Sequence, residues 1–123
     1  MKLQLGVSGA ESQFQERTLF ALFLLCQGSR ETRAAVIARG VIEDTIQAME
    51  LWYETQLIAR AVAFIYVLAI EPQGRLEIVQ RGGAAALIKG LQRQMADRCV
   101  VGLALRALAF LVPQVLSSHL SCT

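Results

Sequence analysis

The stretch Arg33-Ala34-Ala35-Val36-Ile37-Ala38-Arg39-Gly40-Val41 reads against Arg75-Leu76-Glu77-Ile78-Val79-Gln80-Arg81-Gly82-Gly83, 42 residues later. The pairs Arg33/Arg75, Val36/Ile78, Ile37/Val79, Arg39/Arg81 and Gly40/Gly82 agree in type, and Ile46/Ile88 and Met49/Leu91 extend the agreement. Beyond them the offset becomes 43: Ala61, Phe64, Ile65, Leu68 and Ala69 fall on Ala104, Ala107, Leu108, Leu111 and Val112. Counting 43 backwards instead lands on Thr18, Ala21, Leu22, Leu25 and Cys26. One long segment is therefore written three times and the text between its copies twice. A fixed period of this length is the signature of a helical-repeat architecture.

Each unit reads as three helices. A short one covers 30–39 and again 75–81, and a glycine (Gly40, Gly82) stands after it where a left-handed residue closes a helix. A second helix covers about 41–51 and 83–94. A long third covers about 55–70 and 97–112, with 14–27 as its first copy. Thr55 and Asp97 are the expected N-caps of the later two copies, and Pro72 and Pro113 stand where proline stops a helix. In the long helix the apolar positions Ala61, Phe64, Ile65 and Leu68 recur at helical spacing, and most of the remaining residues are apolar too. Helices of that kind are covered on more than one side, as in a stack of repeats none of which can bury its apolar face alone.

The Gly turn Val79-Gln80-Arg81-Gly82-Gly83 and the helix Ala104-Leu105-Arg106-Ala107-Leu108-Ala109-Phe110-Leu111-Val112 resemble the armadillo repeat, over about residues 14–113. HEAT repeats share much of this pattern. The resemblance implies an all-α, right-handed α-solenoid of about two and a half repeats. A cap or tail would occupy 1–13, the third helix of a partial repeat 14–29, full repeats 30–72 and 73–113, and a tail 114–123. It also implies that the long helices line a concave binding face. In peptide-binding members this face carries an Asn just before the final Leu and a Trp four residues earlier. Here the Asn positions hold Leu24, Val67 and Phe110 and the Trp positions hold Phe20, Ala63 and Arg106; the sequence contains no Asn. Aliphatic and aromatic side chains cannot supply the paired donor and acceptor that an Asn offers a peptide backbone. The line Phe20, Leu24, Ala63, Val67, Arg106 and Phe110 is expected instead to receive the apolar side of a partner helix. Trp52 and Tyr53 are candidate anchors in a loop.

Composition supports an interaction role. The 123 residues have a mean hydropathy of +0.46, and a chain this short exposes much of its surface, so some apolar area is expected to meet a partner or a second copy. Ten of the twelve basic residues are Arg, but net charge is only +2 and the charges are scattered, which argues against nucleic acid as partner. Cys26, Cys99 and Cys122 form neither a disulfide framework nor a zinc motif. Met1 to Ser12 lacks the long apolar core of a secretory signal. The run Leu19 to Cys26 is too short to cross a bilayer and Arg60 and Arg106 interrupt the other apolar stretches, so membrane insertion is not expected.

No catalytic constellation is visible. The single His119 lies in a Ser-rich tail beside Cys122, Glu43 and Asp44 read as carboxylates at a helix start, and Gly82-Gly83 lacks the Lys-Ser/Thr of a phosphate loop. Arg39 and Arg81 are expected over the ends of the short helices. No enzyme activity, cofactor or metal is expected. The sequence points to a protein-binding adaptor or scaffold, cytoplasmic with the nucleus as the alternative, that self-associates as a homodimer or larger assembly. Other readings are a cochaperone or exchange factor clamping a chaperone domain, and a self-assembling structural repeat protein.

Overall fold

The computed structural model describes residues 9–51 and 55–121, with side chains described over 13–51 and 55–116. Seven helices form over these residues: α1 (Gly9–Gln27), α2 (Arg30–Ala38), α3 (Val41–Leu51), α4 (Thr55–Leu68), α5 (Pro72–Gln80), α6 (Gly83–Arg93) and α7 (Arg98–Ser121). No strand occurs among the described residues. The fold class is all-α.

Local chemistry explains the boundaries. Ser29 caps α2, its hydroxyl accepting from the Thr32 amide at 3.1 Å. Asp97 does the same for α7, accepting from Cys99 and Val100 amides at 2.9 and 3.2 Å. Gly40 and Gly82 adopt φ of +76° and +79°, the left-handed geometry that ends α2 and α5 and turns the chain into α3 and α6. Thr55, expected as an N-cap, is instead the first described residue within α4, and its hydroxyl donates to Gln94 Oε1 at 2.9 Å.

Three boundaries differ from expectation. The first long helix begins at Gly9, so part of the expected cap is helical. Pro72 opens α5 at its first turn, where a missing N–H costs nothing. Pro113 does not stop α7, which continues through the expected tail to Ser121. Pro113 removes the bond to the Ala109 carbonyl, and both residues lie on the solvent side, where water replaces the lost donor.

Like packs against like. The long helix α4 has α1 against one flank and α7 against the other, while α2 meets α5 and α3 meets α6. The core runs through α4, whose residues Leu57, Ile58, Ala61, Val62, Phe64, Ile65 and Leu68 are essentially sealed. Two stripes, one residue apart in phase, divide that helix. Leu57, Ala61, Phe64 and Leu68 correspond, 43 residues on, to the buried Val100, Ala104, Ala107 and Leu111 of α7. Ile58, Val62, Ile65 and Ala69 correspond, 43 residues back, to the buried Gln15, Leu19, Leu22 and Cys26 of α1. By that correspondence the first stripe belongs to the joint with the preceding long helix and the second to the joint with the following unit. Ile58 and Val62 also meet α6 of that unit: a Cβ at Gly90 would lie 3.5–4.0 Å from Met49, Ile58 and Val62.

Polar contacts recur with the same period. Arg33 Nη1 donates to the carbonyls of Cys26 and Gln27 at the end of α1 (2.9 and 3.4 Å), and Arg75 Nη1 donates to those of Ala69 and Ile70 after α4 (2.8 and 3.1 Å). Each guanidinium satisfies orphan carbonyls and places positive charge at the negative end of a helix. Arg33 Nε also donates to Glu71 Oε1 at 2.9 Å, and Arg30 Nε to Glu71 Oε2 at 3.4 Å, joining the two repeats.

Candidate interaction face

The uncovered side of the long-helix layer is aromatic. The Arg60 guanidinium lies 4.0 Å above the Phe20 ring, close enough for a cation–π contact, while its Nε donates to Glu16 Oε1 at 2.9 Å. Phe20 and Phe23 stack with centroids 6.5 Å apart, and Tyr66 stacks on Phe110 at 5.4 Å with an interplanar angle of 2°. These contacts tie α1 to α4 and α4 to α7 across one surface. Leu24 is 52% exposed on it and Phe110 38%, and Arg106 is exposed.

The expected line is only partly at this surface. Ala63 and Val67 are 7% and 3% exposed, so in α4 the face is presented by Arg60 and Tyr66. Tyr66 is the residue before Val67 and recurs as Phe23, 43 residues earlier; that pair of aromatics is the signal sequence reading passed over. Glu16 and Arg60, 44 residues apart, were also missed, because neither recurs as a charge pair in a second unit. Trp52 and Tyr53 lie outside the described residues, as does the side chain of His119.

Among the described residues, Arg33 stands beside both Glu71 and Cys26. The Arg33 hydrogen bond holds the Glu71 carboxyl below its ordinary 4.5, against a smaller opposing push from desolvation. Burial raises the Cys26 thiol above 9.0, the nearby Arg33 charge opposing it, so Cys26 stays protonated at neutral pH. Cys99 is exposed. Arg39 and Arg81 are the C-cap residues of α2 and α5. Arg81 Nη1 lies 3.6 Å from Glu43 Oε2, both half-exposed. No three His, Cys, Asp or Glu residues gather in a metal-holding group among the described residues. Among the described residues, small clefts beside the short helices include one of about 240 Å³ among Leu22, Ala35, Val36, Arg39 and Val41 and one of about 330 Å³ beside Glu71 and Pro72.

The segment Arg98–Leu116 of α7 has a mean hydropathy of 2.0 with 22% of it buried, and it alone among the described helices is long and apolar enough to cross a bilayer. One side of it packs on α4. No family model, curated protein or solved structure matches the chain.

Proposed function

We propose that this chain is a protein-interaction module of armadillo type, a short right-handed solenoid that binds the apolar side of a partner helix on its long-helix face. The observation that carries the reading is the aromatic surface of Phe20, Phe23, Tyr66 and Phe110, crossed by Arg60 and bordered by exposed Leu24. The packing of like helices on one another, at offsets of 42 and 43 residues, supports a solenoid. With no Asn in the chain, an extended peptide has no side-chain amide to pair with its backbone, whereas an apolar helix face needs none. Aromatic and Arg side chains are the residues that most often anchor such contacts.

The test is capture from native lysate by the wild-type chain and by a Leu24→Ser/Tyr66→Ser/Phe110→Ser variant, with proteins identified by mass spectrometry. Each replaced residue is exposed or half-buried, so circular dichroism should show an unchanged helix content. A stoichiometric protein partner retained by the wild type and lost by the folded variant supports the face. The same captured set with both chains contradicts it. Repeating the capture at two salt concentrations separates a protein partner from nucleic acid, whose binding falls steeply with salt.

A further inference from the structure

Both ends of the long-helix layer carry the same apolar stripes that its interior has already matched. At the α1 end, Phe14, Thr18, Ala21 and Leu25 are the counterparts of Leu57, Ala61, Phe64 and Leu68, the stripe α4 presses on α1. At the α7 end, Val101, Leu105, Leu108 and Val112 are the counterparts of Ile58, Val62, Ile65 and Ala69, the stripe α4 presses on α7. In α4 and the Ala69 that follows it these eight positions are sealed; at the ends Thr18, Val101 and Leu108 are half-buried and Phe14, Ala21, Leu25, Leu105 and Val112 are exposed, Leu25 by 63% and Leu105 by 53%. The second layer repeats the pattern. Ile46 is buried in α3 while its counterpart Ile88 in α6 is exposed, and Ile78 is sealed in α5 while its counterpart Val36 opens into the 240 Å³ cleft.

We propose that a second copy of this chain docks head to tail, the α7 end of one molecule on the α1 end of the next, reproducing the α4–α7 and α1–α4 packing across the joint. The proposal rests on the stacked-repeat reading but not on the aromatic face. What fixes the occupant is that each open stripe is written on this chain together with its complement, and that both complements are already packed twice inside it. The contact is heterologous, so it adds molecules without closing unless a ring forms. One feature restrains it. Across the interior joint Arg60 lies over Phe20; at the end joint the counterparts are Arg17 and Arg106, both exposed cations. Assembly is therefore weak at low ionic strength and strengthens as salt screens the pair. Arg106→Glu, which sets a carboxylate opposite Arg17, tightens it several-fold.

Complementation tests the geometry. Leu25→Asp blocks only the α1 end and Leu105→Asp only the α7 end. Both side chains are mainly exposed in the single molecule, so the monomer fold should be retained by circular dichroism; Phe14→Asp and Val112→Asp provide a second pair. In sedimentation velocity at 0.5 M salt, the wild type is expected to form a concentration-dependent series of oligomers, each variant alone to remain monomeric, and their equimolar mixture to stop at a dimer. A wild-type chain that stays monomeric, a mixture that does not dimerise, or variants that assemble like the wild type overturn the proposal. So does wild-type co-sedimentation with phosphatidylcholine/phosphatidylglycerol vesicles without any oligomer series, since α7 would then be covered by lipid. An oligomer series with the same captured proteins on the wild type and on the Leu24→Ser/Tyr66→Ser/Phe110→Ser variant would count against the aromatic face alone.

Discussion

At the scale of single residues, Glu71 and Gln15 make the sharpest demands. Ser29 and Glu71 occupy the same N-cap position 42 residues apart, but only Ser29 caps its helix; the Glu71 carboxylate turns to Arg33 and Arg30 instead. Arg33 is mostly buried in this pair, whereas Arg30 is 80% exposed, so Arg33→Ala should lower the melting temperature more than Arg30→Ala. Because the folded state depresses the Glu71 pKa, this contribution is present above the ordinary value of 4.5 and is lost as pH falls through and below it. The melting-temperature gap between wild type and Glu71→Gln should therefore close on acidification; a gap independent of pH would show that the charge does not matter. Gln15 is fully buried and neither atom of its carboxamide has a hydrogen-bond partner, while its counterparts are Ile58 and Val101. A buried unpaired polar group costs about 1–3 kcal/mol, so Gln15→Leu should raise stability by about that amount in urea titration. An unchanged or lowered midpoint would refute this.

At the scale of elements, periodicity made the helices legible and local caps and glycine turns fixed some of their ends. The glycines at 40 and 82 announce turns because only a left-handed residue fits there. Asp97 announces α7 because a side-chain oxygen must meet free amides. Pro113 misled for a reason of context: proline ends a helix when the carbonyl it strands has no other donor, and Ala109 faces water. The same context sets a prediction. Pro113→Ala restores one backbone bond and removes a steric clash, which together cost about 3 kcal/mol or more in a helix interior. Amides just beyond residue 113 should gain hydrogen-exchange protection, and helicity should not fall; unchanged exchange would place the end of α7 elsewhere.

At the scale of the molecule, the sequence carried the order of packing but not its outer face. Offsets of 42 and 43 residues told which helices are counterparts, and the interior agrees: α4 has α1 and α7 on its flanks, and α2/α5 and α3/α6 meet. The face was harder to read because two apolar stripes adjoin in α4, leaving Arg60 and Tyr66 to look outward beside the expected line of Ala63 and Val67. Burial of Ala63 and Val67 follows from that rotation.

The central claim, that three counterpart helices lie side by side in chain order, is tested most directly by spin labels at Gln27, Ile70 and Pro113. These exposed positions are spaced by 43 residues, and labels would be placed in a background lacking Cys26, Cys99 and Cys122. Packed helices are about 8–10 Å apart. The account predicts two short, similar separations for 27–70 and 70–113 and a 27–113 separation about twice as long. A 27–113 separation as short as the other two would mean that α1 closes onto α7, and the layered account would be wrong.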